Sequence, residues 1–177
     1  GEPVAHAKNL YHRIDRTWRD ANHATSEAWF DTEGNPMALK DMYVRIERDF
    51  DEKGNATEER YYGPDGQPIA CKAGYDEIHQ KYNEKNQVIR IEYLLNGAPV
   101  LNNIGAAALE REYDEKGNVS VERYYGTENE PIRNTSGYAR IDRTWLDKDH
   151  VTSEAWYDEN GQPTALTDTY CRVEREY

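Results

Sequence analysis

One unit of about 32 residues is copied end to end along this chain, and that constrains its fold more than any other feature. Tyr11, Tyr43, Tyr75, Tyr138 and Tyr170 mark the copies at a spacing of 32, except where Ala106 holds the tyrosine's place after a copy of 31. In each copy an aromatic-led run (Tyr11 to Trp18) leads through a polar turn to a second run. That run ends in two aromatics, Trp29-Phe30, and a Gly-x-Pro turn follows, Gly34-Asn35-Pro36. A fixed period of this length marks a tandem array, in which each copy buries its apolar face against its neighbours. The copies are predicted at about 9–39, 40–71, 72–102, 103–134 and 135–166, with a partial sixth at 167–177.

A longer period lies on top of the first. Arg13-Ile14-Asp15-Arg16-Thr17-Trp18 recurs unchanged as Arg140-Ile141-Asp142-Arg143-Thr144-Trp145. Thr25-Ser26-Glu27-Ala28-Trp29 recurs as Thr152-Ser153-Glu154-Ala155-Trp156. The offset is 127 residues, or four copies. The chain therefore holds one four-copy block and the start of the next. Gly1-Glu2-Pro3-Val4 matches the tail of a copy, as in Asn129-Glu130-Pro131-Ile132, so a piece of a longer array is expected.

The two runs of each copy read as strands. Val88 to Leu94 is β-branched and aromatic, and Val119 to Tyr125 and Ile141 to Trp145 alternate. Gly54 and Gly117 stand where a hairpin turn needs a left-handed residue; Asn22, Asn86 and Asp149 hold the same slot. The expected fold is all-β, a solenoid or stacked sheet of tandem hairpins. Apolar residues make up 37% of the chain, which suits thin layers better than one large core.

The copies also predict the pairing. Arg16 precedes Glu27 by eleven residues, as Arg48 does Glu59, Arg111 does Glu122 and Arg143 does Glu154. In the third copy both change together, to Gln80 and Ile91, which is what an opposed cross-strand pair requires. One face then carries Ile14, Arg16 and Trp18 with Thr25, Glu27 and Trp29, and is read as buried. The other brings Arg13 opposite Phe30, Arg45 opposite Tyr62 and Arg140 opposite Tyr157, a cation–π rung. Asp49 facing Glu58 is like-charged and expected in solvent.

No catalytic constellation stands out. The histidines do not cluster, and only His23 and His150 share a place in the copy, at a turn. The Asp51-Glu52-Lys53-Gly54-Asn55 type of turn lacks the alternating acids and closing glutamate of a calcium loop. No Ser/His/Asp order, phosphate loop or Cys/His cluster is present, so no enzymatic activity, metal or cofactor is expected. The net charge of −12 disfavours nucleic acid and anionic surfaces. No apolar run is long enough for a membrane span, so no membrane insertion is expected. Cys71 and Cys171 fall at different places in the copy, which argues against a disulfide framework.

Two aromatic columns remain. One holds Trp18, Phe50, Tyr82, Tyr113, Trp145 and Tyr177; the other holds Trp29, Tyr61, Tyr93, Tyr124 and Trp156. Presence in every copy fits a core. The tryptophans, however, follow the four-copy period, as a binding site would. Trp18, Trp29, Phe30 and His23, with Trp145, Trp156, Tyr157 and His150, are therefore the candidate ligand-binding residues.

Tyr113-Asp114-Glu115-Lys116-Gly117-Asn118 and Trp156-Tyr157-Asp158-Glu159-Asn160-Gly161-Gln162-Pro163 resemble two hairpin repeat types. One is the YD-type repeat of bacterial surface and toxin proteins. The other is the choline- or cell-wall-binding repeat of Gram-positive bacteria. The resemblance implies a secreted or cell-surface protein of a Gram-positive bacterium, engaged in adhesion, wall attachment or capture of a host protein. The leading expectation is a recognition array that binds a host protein, an immunoglobulin among the candidates, or a glycan, multivalently. The alternatives are a passive spacer and a choline or cell-wall anchor.

Overall fold

The computed structural model describes residues 11–38, 40–166 and 170–177. Residues 1–4, read above as the tail of a copy, and His6 lie outside them. The described residues are all-β, without a helix. Twelve antiparallel strands form one open sheet. They are β1 (Arg13–Asp20), β2 (His23–Phe30), β3 (Arg45–Phe50), β4 (Ala56–Tyr62), β5 (Glu77–Tyr82) and β6 (Val88–Leu95). Then come β7 (Ala98–Pro99), β8 (Ala108–Tyr113), β9 (Val119–Tyr125), β10 (Arg140–Trp145), β11 (Val151–Tyr157) and β12 (Arg172–Glu174). Their order in the sheet is the chain order, with β7 alone off the path, paired to β6. The described residues divide into two compact bodies, those within 11–80 together with 94–98, and those within 81–93 and 99–177.

In the first body β1 pairs β2 with Arg16 opposite Glu27, and β3 pairs β4 with Arg48 opposite Glu59. In the second, β8 pairs β9 with Arg111 opposite Glu122, and β10 pairs β11 with Arg143 opposite Glu154. The predicted register is thus the observed one along most of these four hairpins. It slips by one residue near the turn, where Trp18 faces Ala24 and Phe50 faces Ala56. A bulge there leaves Thr25 over as the extra residue, and such an insertion re-aims the side chains beyond it. Thr25 Oγ1 consequently meets Thr17 Oγ1 at 2.9 Å, on the side opposite Trp18. The expectation that Thr25 shares the Trp18 face is corrected by the bulge, which brings Ala24 there instead.

The face read as buried is graded. Ile46 and Ile141 are fully enclosed, and Trp29, Tyr61, Tyr93, Tyr124 and Trp156 are buried. The second aromatic column is therefore core. The Arg–Glu rung is half-buried, and Trp18 at the turn end is 54% exposed. In the first body the tyrosines that mark the copies slot between the column rings. Tyr43 lies 5.8 Å from Trp29 and 4.8 Å from Tyr61, and Tyr75 lies 5.9 Å from Tyr61. In the second body Tyr138 stands 5.7 Å from Tyr124, and Tyr170 stands 5.9 Å from Trp156. Offset and tilted ring pairs at this spacing add to the burial of area itself.

The turns are built on a side-chain carboxylate. Asp51 Oδ1 accepts the backbone N–H of Lys53 and of Asn55, both at 2.9 Å, and Gly54 takes φ 87°. Asp114 repeats this with Lys116 and Asn118, and Gly117 takes φ 88°. Asn86 adopts the left-handed conformation at the matching slot, with φ 61°. Asn22 and Asp149 do not, contrary to expectation. Asp20 Oδ1 and Asp147 Oδ1 cap those turns by accepting the amides two and three residues on, a shorter span than the one Asp51 and Asp114 close. Cys71 and Cys171 are free thiols.

Candidate functional site

The graded face opens into a cleft at the turn end of the first body. It lies between the β1–β2 and β3–β4 hairpins and encloses about 470 Å³. Trp18 and Phe50 supply its aromatic walls and Asn22 its rim. Its floor is an ion-pair ladder that crosses from one hairpin to the next. Arg16 Nε meets Glu27 Oε2 at 2.9 Å, and Arg48 Nη1 meets Glu27 Oε1 at 2.8 Å. Arg48 Nε then meets Glu59 Oε1 at 3.1 Å, and the Tyr61 hydroxyl donates to Glu59 Oε2 at 2.9 Å.

This ladder sets the electrostatics. Partial burial alone would raise the Glu27 carboxyl, but the guanidiniums of Arg48 and Arg16 hold it below its ordinary value. Burial opposes the charge on Arg48, and Glu27 and Glu59 more than restore it. Burial and the neighbouring Glu59 carboxylate push the Tyr61 hydroxyl strongly upward, so it stays a donor. The floor is polar and fixed, with its charges matched in pairs.

A second cleft, of about 530 Å³, lies in the second body and shares two slots with the first; the rest of its lining, Ile89 and Glu112 among it, comes from slots that do not line the first. Arg111 and Tyr113 line it in the slots that Arg48 and Phe50 hold in the first. Arg111 Nε meets Glu122 Oε2 at 2.7 Å, and the Tyr113 hydroxyl donates to Val88 O at 2.7 Å. A contact between consecutive turns recurs as well. His23 leans across Gly54, where an added Cβ would stand 2.5 Å from His23 Nε2. Gln87, in the same slot, leans across Gly117 at 3.1 Å.

The eight residues singled out from the sequence fall in three places. Trp18, His23, Trp145 and His150 lie at turn ends. His23 stacks edge-on against Phe50 at 5.0 Å and is held by Asp20 at 2.6 Å. His150 stacks on Tyr177 at 4.6 Å and is held by Asp147. Trp145 Nε1 donates to Val119 O at 2.9 Å. Trp29 and Trp156 are each 7% exposed in the core, with little surface left for a ligand. Phe30 and Tyr157 lie on the opposite face under Arg13 and Arg140, at 4.2 and 3.8 Å. Sequence reasoning missed the contributions of Phe50, Arg48 and Tyr113 to the clefts. Their signal was the column and the ladder; the cross-hairpin contact of Arg48 with Glu27, 21 residues away, has no local signature.

Two other arrangements have the outline of a cation site. Glu58, Glu77 and His79 present ligand atoms within 4.8 Å of one another. Arg60 already bridges Glu58 and Glu77, the latter at 3.3 Å, so a guanidinium stands where a cation would. It also reaches Asp49 at 2.8 Å, so the like-charged Asp49–Glu58 rung is bridged by an arginine as well as solvated. In the turns, the Asp51 and Asp114 carboxylates are aimed at backbone N–H donors of their own loops, a task opposed to metal ligation. No helix among the described residues is long and apolar enough to cross a membrane. No known family model matches this sequence, and no curated protein matches it.

Proposed function

We propose that this chain is a non-enzymatic recognition module: a tandem array of hairpins, about 32 residues to the copy, stacked as a sheet or solenoid. It is displayed at a bacterial cell surface and binds a host protein or a glycan at equivalent sites. The observation that supports this reading is a surface cleft in each body that draws an arginine and an aromatic from the same two slots, Arg48 and Phe50 in one, Arg111 and Tyr113 in the other. Weak single sites repeated along one chain gain affinity through effective concentration, without any new contact. Immunoglobulin is one candidate among serum proteins.

The test is a pull-down from serum and a glycan array, both with the immobilised chain. Retained ligand is expected to fall when Trp18→Ala and Phe50→Ala are combined, and to fall further when Tyr113→Ala is added. Retention unchanged in the triple variant, with the fold intact by circular dichroism, sinks the reading. A passive spacer is the second reading, and the opposite face favours it. Arg45 lies 4.0 Å from the Tyr62 ring and pairs with Glu47, to which the Tyr62 hydroxyl also donates at 3.0 Å. Charges satisfied this way within the sheet offer a partner little.

A further inference from the structure

β1 ends the sheet order, and among the described residues it pairs only β2. It is exposed from Asp15 to Asp20. An edge strand offers a row of backbone donors and acceptors to any strand whose pattern fits. Which pattern fits is visible elsewhere in the same molecule. β10 has the identical run, Arg140-Ile141-Asp142-Arg143-Thr144-Trp145, and its corresponding edge is occupied by β9. There Arg140 faces Arg123, Ile141 faces Glu122 and Asp142 faces Val121. The indole of Trp145 reaches across to Val119 O. A second link between consecutive hairpins recurs in both bodies. Arg48 takes Glu27 at 2.8 Å, and Arg175 takes Glu154 at 2.9 Å. Arg16 holds the slot of Arg48 in its own hairpin.

We propose that the edge of β1 that no described residue pairs is a docking edge for a strand of the β9 kind, carried on a further hairpin of this repeat type. The incoming strand presents Val-Glu-Arg to Asp15, Ile14 and Arg13, as β9 presents Val121, Glu122 and Arg123 to β10. Trp18 donates its indole N–H to the carbonyl of the strand's first valine, and Arg16 takes its glutamate. The Val-Glu-Arg order is the one that the identical run of β10 accepts, where Arg140 stands opposite Arg123 and is balanced by Asp142 of its own strand, and Arg143 pairs Glu154; for the Arg16 contact the precedent is Arg48 with Glu27. The half-exposed Trp18 is thus an anchor awaiting its acceptor.

The test extends the full chain. A copy of residues 103–137 is joined ahead of Tyr11 in place of residues 1–10, so that the new hairpin precedes β1 as β8–β9 precedes β10. Both proteins are labelled with 5-fluorotryptophan, and the Trp18 signal is assigned with Trp18→Phe. Docking is expected to move the Trp18 fluorine resonance toward that of Trp145. It also couples the two changes: Trp18→Phe leaves the melting temperature of the parent chain unchanged and lowers that of the extended chain by about 2 °C or more. A Trp18 resonance that stays in place, with Trp18→Phe neutral in both proteins, overturns the proposal. So does a parent chain that dimerises in sedimentation with a concentration-dependent Trp18 signal, since a second copy would then occupy the edge. The outcome is independent of ligand binding at the clefts.

Discussion

Gly54 illustrates how one residue can be constrained twice. Its φ of 87° disfavours any side chain, and an added Cβ would stand 2.5 Å from His23 Nε2. Gly66 has φ 78° and open space around it. Gly66→Ala is expected to cost about 1–2 kcal/mol, the strain of a left-handed alanine, and Gly54→Ala distinctly more. Chemical denaturation of both variants checks this, and His23→Ala should recover part of the Gly54→Ala loss but none of the Gly66→Ala loss. Glu27 carries a pH dependence. Its folded carboxyl is held below the unfolded value, so its contribution is present above the ordinary glutamate range and is lost as pH falls through the folded value. Acid unfolding should therefore be shallower below about pH 4.5 in Glu27→Gln than in the parent.

At the level of the hairpin, the Arg–Glu rung joins strand to strand and hairpin to hairpin. Arg111→Ala strands the half-buried Glu122, which also accepts from the Tyr124 hydroxyl. A loss of about 1.5–3 kcal/mol is expected, the range for a charge-assisted hydrogen bond in a partly buried site. Replacing Arg111 with Gln and Glu122 with Ile, the pair found at Gln80 and Ile91, should recover much of it. Urea denaturation decides the matter; a double variant no more stable than Arg111→Ala would show that the third-copy pair depends on surroundings the fourth lacks. The bulge at each turn end is the other hairpin-scale device. It turns one threonine away from the cleft, to Thr17 in the first hairpin and from Thr152 to Thr144 in the last, at 2.9 and 2.8 Å.

For the whole molecule, the dependence of one hairpin on the next is seen within a body. In the first body Trp29, Ile46, Tyr61 and Cys71 form one cluster drawn from consecutive hairpins. A hairpin by itself therefore lacks the apolar contacts its neighbours supply, and two strands are marginal in water. A peptide of residues 103–134 is expected to be unfolded by circular dichroism, while the full chain melts cooperatively. A cooperative transition in the peptide would count against mutual dependence.

Much of this could be read from the copies alone. Opposed residues that change together, such as Arg111 and Glu122 against Gln80 and Ile91, gave the strand pairing, because register is a property of residue spacing within one hairpin. The turns were legible because Asp51 and Gly54 act within a few residues of each other. Recurrence marked both aromatic columns alike as core, and the four-copy period marked Trp29 and Trp156 for a ligand; it is the second column that is buried, whereas Trp18 and Tyr177 of the first are exposed. What the copies could not reveal is everything set by the bulge and by the neighbouring hairpin. The side taken by Thr25, the reach of Arg48 to Glu27, and the difference between the enclosed Trp29 and the open Trp18 all arise from contacts between segments distant in the chain. Trp18 and Trp29 looked equivalent because they share a period. Only tertiary packing separates them, since burial depends on what lies beyond the hairpin: the next layer of rings covers Trp29, whereas the turn end leaves Trp18 beside a cleft.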